Sequence, residues 1–303
     1  MPDAQAHLPM VDAHHHIWDL GLKAHPWLTG ESPVPFRYGD YTAIRKSYLP
    51  ADYRRDSARF DIVKTVYVEA EWDSKDPIGE TRWVHEMAAR HGSPNAMVAQ
   101  AWLDRADAAD VLAQQAAFPL VRSVRHKPRS AARRQDARRG EPGSMDCGRW
   151  RSGYALLAKH GLHFDLQTPW WHFDAAAELA RDLPGTVIIV NHTGLPADRS
   201  PEGLAGWRRA MELLAREPNV RLKISGIGVP GQRWTPELQG PVVRDAIRIF
   251  GVERAMFASN FPVDSLVATF DEIYGSFLEI TQDLPGEARR QLLHDNAVRI
   301  YRL

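Results

Sequence analysis

Eight short runs rich in β-branched and aromatic residues recur along the chain, separated by longer stretches of helical periodicity, and this alternation constrains the fold more than any other feature. The runs fall at 8–17 (LPMVDAHHHI), 61–70, 95–103, 119–126, 161–168, 185–192, 219–226 and 254–260. Between them lie segments such as TRWVHEMAARHG, DAAAELARDL, PVVRDAIRIFG and SLVATFDEIYGSFLEI, most of them closed by Gly or followed by Pro or Asn. Strand then helix, repeated, demands parallel strands joined by right-handed crossovers, and eight such units close into a (β/α)8, TIM-type barrel. An open doubly wound sheet is the competitor. It wants a Gly-rich phosphate turn after its first strand, where this chain carries histidines. With 303 residues, the whole chain (1–303) is expected to form one barrel domain. A long loop at about 18–48 and an Arg-rich loop at about 127–147 are expected over or beside the barrel mouth.

Charge narrows the partners. Lys plus Arg and Asp plus Glu each number 38, so no global field favours nucleic acid or an anionic membrane. The basic run 121–140 has no aromatic residues for stacking on bases, and its distal part reads as a solvated loop. A small molecule, anionic or a lactone, is the expected partner; a homo-oligomer is compatible with the sequence. Cys147 stands alone, which excludes an internal disulfide and any cysteine metal motif. The first residues lack the basic flank and apolar run of a signal peptide, and no apolar stretch approaches a membrane span, so a cytoplasmic location is expected.

Barrel enzymes place their chemistry at the C-terminal ends of the strands. Reading the last residues of each run collects His14, His16, Glu69, Glu71, Trp102, Arg125, His126, Asp165, Gln167, His192, Lys223, Ser225 and Asn260, nearly all polar. In VDAHHHIWD, strand alternation puts His14 and His16 on one face with Asp12 deeper on the same face, and sends His15 toward the helical layer. Two imidazoles supply only part of a catalytic metal site, and His192, ending the apolar run VIIVNH, is the best-placed third. His14, His16 and His192 are therefore the expected ligands of one divalent ion, zinc or manganese. A lone strand-end histidine is more often structural; two others at the same rim shift that reading. Around them, Glu71, Trp72, Arg125, Gln167, Trp171, His172 and Lys223 are expected to contact substrate. Lys223 has a competing reading as an internal ion pair with Asp165.

The ordered series VDAHHHIWD, YLPADYRRD, VRSVRHKP, GLHFDLQT, VNHTGLP, RLKISGIG, MFASNFPV and NAVRIYRL resembles the amidohydrolase superfamily, specifically its lactonase-like branch. The resemblance implies a distorted barrel that hydrolyses a lactone or related ester, with the first-strand His-x-His and the histidine after the sixth strand at its centre. One position departs from the family. An aspartate that ligates metal or activates water usually ends the eighth strand, and here that place holds Asn260, which brings neither charge nor basicity. Three substitutes are open: Asp264, although its place before SLVATFDEI favours a helix N-cap; Glu69 or Glu71; or His192 as base while Asn260 orients the water. The expected activity is ring-opening hydrolysis with His14, His16, His192 and Asn260 as the catalytic set. A non-oxidative decarboxylase and a non-catalytic binding relative are the alternatives.

Overall fold

The computed structural model describes residues 8–303. Its eight strands are β1 (Met10–His15), β2 (Ile62–Val68), β3 (Ala96–Gln100), β4 (Val121–Arg125), β5 (His163–Leu166), β6 (Ile188–Val190), β7 (Val220–Ile224) and β8 (Ala255–Phe257). They pair in parallel in sequence order. The barrel closes through the backbone just beyond β8: Asn260 N–H donates to His14 C=O at 2.8 Å, and His16 N–H donates to Phe261 C=O at 2.7 Å. Each strand is followed by a helix that covers the barrel, from Pro50–Asp56 after β1 to Phe270–Ile280 after β8. No helix among the described residues is long and apolar enough to cross a membrane.

Apolar side chains sort into two layers. Val11, Ala13, Val66, Val68, Ala96, Val98, Ile189, Met256 and Ala258 form an inner cluster, closed by Ala297, Ile300 and Tyr301 of the C-terminal helix Asn296–Tyr301. A larger cluster joins the outer strand faces to the helices. Both use the alternation that a barrel strand imposes.

β1 breaks that alternation once. Asp12 pairs with Thr65 and His15 with Tyr67, so three steps on β1 match two on β2 and one residue is bulged. The bulge corrects the expectation for Asp12. Instead of joining the histidines inside, Asp12 turns to the outer layer, where it accepts hydrogen bonds from Tyr53 Oη (2.8 Å) and Ser259 Oγ (2.6 Å). His14 and His16 stay inward. His15 faces outward as expected, with its ring 4.5 Å from that of Tyr53.

The long loop after β1 is anchored at its base, where Trp18 and Tyr48 exchange backbone hydrogen bonds of 2.9 Å. Trp27 Nε1 donates to Ala70 C=O at 2.8 Å and ties the loop to the end of β2. Its N-terminal part buries His25. Burial lowers His15 and His25 from 6.5 to about 4, so each stays neutral in the fold at a pH where the unfolded chain is protonated. A depressed folded pKa makes stability complete above 6.5 and lost as pH falls toward 4. Each residue should contribute a loss of up to about 3 kcal/mol over that interval. Chemical denaturation at pH 7 and pH 4.5 should show the midpoint dropping, and His15→Phe should reduce the drop; an unchanged pH dependence in that variant would contradict the assignment.

Candidate active site

The strand ends carry unusual backbone. Glu71, His192, Thr193 and Asn260 all have positive φ, between 53° and 58°, a region that non-glycine residues other than Asn and Asp rarely occupy. Such strain persists where the surrounding structure fixes it, and here it clusters after β2, β6 and β8. His192 lies in a left-handed turn running to Leu195, and Gly226 after β7 makes room for it. A Cβ at Gly226 would stand 2.5–2.8 Å from His192 ring and Cβ atoms.

At the seam between β1 and β8, His14 Nε2 lies 3.3 Å from His16 Nε2, and His16 Nε2 lies 3.4 Å from Asn260 Oδ1. His16 Nδ1 is 2.7 Å from the Val68 carbonyl, an acceptor only, so Nδ1 carries the proton and Nε2 its lone pair. The His192 ring stands 4.6 Å from that of His14, with Nδ1 3.1 Å from Ser225 Oγ. All three histidines are buried, and burial is the main cause that pulls their pKa values well below 6.5. Neighbouring cations add to it: Lys223 for His14, Arg125 for His16 and Arg37 for His192. At neutral pH these rings are unprotonated bases.

Asp264 overturns its expected role. The helix Phe270–Ile280 is capped by Thr269, whose side chain accepts from Glu272 N–H, while Asp264 lies fully buried behind the site. Its Oδ1 accepts from Asn260 Nδ2 (2.6 Å), Tyr38 Oη (2.9 Å) and Arg37 (3.0 Å). Burial pushes its pKa up even with Arg37 opposing. Arg37 was not legible as a site residue: it lies in a loop with no periodicity, and nothing local announces its contact with residue 264.

The mouth is a cavity of about 220 Å³ lined by His16, His192, Asn260, Arg125, Gln167, Glu71 and Lys127, with the first loop supplying Trp18, Trp27, Phe36 and Arg37 as its other wall. Its cations are already partnered. Arg125 binds Glu69 through both its side chain and backbone carbonyl, and Gln167 Oε1 at 2.9 Å. Lys127 pairs with Glu71, and Arg37 with Asp264.

Several expected substrate contacts lie elsewhere. Lys223 is fully buried with Nζ 2.6 Å from Asp165 Oδ1, the internal ion pair that competed with its substrate role, because its position on β7 points below the rim. Trp171 Nε1 donates to Ala131 C=O (3.0 Å), and His172 Nε2 accepts from Ala131 N–H (2.9 Å); both anchor the Arg-rich loop and do not line the mouth. Trp72 borders an adjoining depression instead, with its ring 5.2 Å from that of His25.

Among the described residues, no three His, Cys, Asp or Glu side chains converge to hold a metal ion. The expected His14–His16–His192 set does not form such a group as the rings stand, although the His192 ring lies 4.6 Å from that of His14. The spacing of His14, His16 and Asn260 nevertheless suits a small ion. Two donors on a tetrahedral zinc with bonds of about 2.0–2.1 Å stand roughly 3.3–3.4 Å apart. What the set lacks is a carboxylate in contact with that point.

Comparison with known proteins bears on this arrangement. A family model described as amidohydrolase matches residues 11–303. An uncharacterised protein of Sinorhizobium fredii, y4mH, is 40% identical over 98% of this chain and 99% of its own length. The L-fucono-1,5-lactonase of Burkholderia ambifaria is 28% identical, covering 97% of this chain and 95% of the relative. A crystal structure of a Burkholderia multivorans protein with bound zinc superposes with a TM-score of 0.80 at 23% identity, covering 97% and 99% of the two chains.

Two substitutions test the geometry. Gly226→Ala should displace the His192 ring and abolish most activity while leaving the far-UV circular dichroism spectrum intact; full activity would show that the close approach is unimportant. Asn260→Asp should raise bound zinc measured by elemental analysis, and unchanged content would count against residue 260 standing beside the ion.

Proposed function

The chain belongs to the amidohydrolase family and is a hydrolase of it, and from that premise we propose that it opens the ring of a neutral sugar-acid lactone by attack of water on the carbonyl. The observation that carries the reaction is the convergence of His14, His16 and Asn260 at one point of the mouth, with His192 beside it. A divalent ion held by His14, His16 and the Asn260 carbonyl oxygen would polarise the carbonyl and acidify water.

The protein's own groups do the rest. His192, neutral and with Nδ1 turned to Ser225, takes the water proton at Nε2 as general base and returns it to the departing ring alkoxide. Bond formation between water oxygen and the carbonyl carbon is balanced by cleavage of the ring C–O bond, leaving a hydroxy acid. Trp27 and Phe36, stacked 5.8 Å apart, give the mouth an apolar wall that limits competing water. An alkoxide can leave without prior protonation, whereas an amide nitrogen must be protonated before it departs, so a site without a carboxylate at residue 260 suits an ester rather than an amide.

Substrate charge follows from the pairing at the mouth. Arg125, Lys127 and Arg37 each already face a carboxylate, so no cation is left with an unbalanced charge to recognise a carboxylated ring. A polyhydroxylated ring can exchange hydrogen bonds with Glu71, Gln167 and Lys127 without disturbing that balance. The volume of about 220 Å³ suits a single ring. The name of the Burkholderia ambifaria relative supports the same substrate class.

On a panel of lactones, neutral aldonolactones should be opened with kcat/KM well above that for a dicarboxylated pyranone, and His16→Ala should lower kcat by about 10²-fold or more. A preference for the dicarboxylated ring would overturn the substrate class. Release of CO2 from aromatic acids, with no lactone opened, would overturn the reaction.

A further inference from the structure

Hydrogen positions at the seam follow from its partners. The Val68 carbonyl fixes the proton of His16 on Nδ1, leaving Nε2 as an acceptor. Asp264 Oδ1, 2.6 Å from Asn260 Nδ2, fixes the orientation of that amide, because a carboxylate facing the amide oxygen would repel it. Asn260 Oδ1 is then also an acceptor. The 3.4 Å between His16 Nε2 and Asn260 Oδ1 therefore joins two groups that cannot bond to each other and need a guest that both can bind. His14 has no such constraint, since its Nδ1 is buried without a partner and its Nε2 is 3.3 Å from His16 Nε2.

We infer that Asp264 is a positioning residue that turns the carbonyl oxygen of Asn260 toward His16, so that Asn260 serves as a neutral oxygen donor and the two histidines and the amide together cradle a small divalent cation. The negative charge that the position at the end of β8 lacks sits one hydrogen bond farther back. It reaches the cradle through the amide dipole. Arg37 and Tyr38 bind the same carboxylate oxygen, so the first loop helps hold the amide in its working orientation. Loss of an outer partner of a metal ligand commonly weakens affinity by about 10- to 100-fold.

Neutron diffraction on the unaltered protein and zinc titration calorimetry on Asp264→Asn and Asp264→Leu test this together. Asparagine at 264 keeps an acceptor for Asn260 Nδ2, whereas leucine frees the amide to flip and donate to His16. The map should show Asn260 Nδ2 directed at Asp264, zinc affinity should stay within about 3-fold in Asp264→Asn, and it should fall about 10- to 100-fold in Asp264→Leu. Thermal denaturation checks that both variants fold, and the map does not depend on either. An amide nitrogen facing His16, or an Asp264→Leu variant that binds zinc like the wild type, would overturn the inference, as would a wild type that binds none. The lactone reading underlies only the kinetic counterpart, in which Asp264→Leu should lose kcat with KM little changed. Zinc binding of the expected pattern without lactone opening would defeat that reading and leave the role of Asp264 standing.

Discussion

Two backbone hydrogen bonds, from Asn260 N–H to His14 C=O and from His16 N–H to Phe261 C=O, join the first strand of the barrel to the chain just past the last. Everything at the mouth depends on that seam. It brings residues 14 and 260, separated by most of the chain, to hydrogen-bond distance, and it does so with the backbone, so side-chain changes at the site leave the scaffold intact. The single bulge in β1 then decides which side chains use the seam. It keeps His14 and His16 inside and sends Asp12 out to Tyr53 and Ser259, where it braces the same junction from behind.

Charge at the mouth is arranged in closed pairs. Arg125 with Glu69, Lys127 with Glu71, Arg37 with Asp264 and, deeper, Lys223 with Asp165 each neutralise themselves. The two that are buried on both sides, Arg125 with Glu69 and Lys223 with Asp165, contribute little net stability but are costly to break, so they resist rearrangement. Their consequence is a polar mouth with little net field, lined by neutral imidazoles. Such a site discriminates through hydrogen bonds and shape.

The barrel was legible in the sequence because strand-length apolar runs and helical periods alternate eight times, and no local feature disputes them. His14, His16, His192, Arg125, Gln167, Glu71 and Asn260 were legible for a related reason: the fold dictates which end of a strand faces the mouth. The remaining residues were hidden by tertiary effects. A one-residue bulge inverted Asp12. Asp264 reads locally as a cap, since Asp before a helical segment usually is one, but Thr269 with Glu272 forms a complete capping box closer to the helix. Lys223, Trp171 and His172 occupy strand ends or the loop after one, yet their partners, Asp165 and Ala131, draw them away from the cavity.

The measurement that bears most directly on the seam as the reaction centre is a crystal structure of the protein with a lactam analogue of a neutral aldonolactone. The ring should occupy the mouth beside Trp27 and Phe36, with its carbonyl directed at His16 and Asn260 and its ring heteroatom within reach of His192. An analogue bound instead in the adjoining depression beside Trp72, or in the mouth with its carbonyl turned away from the histidines, would contradict it.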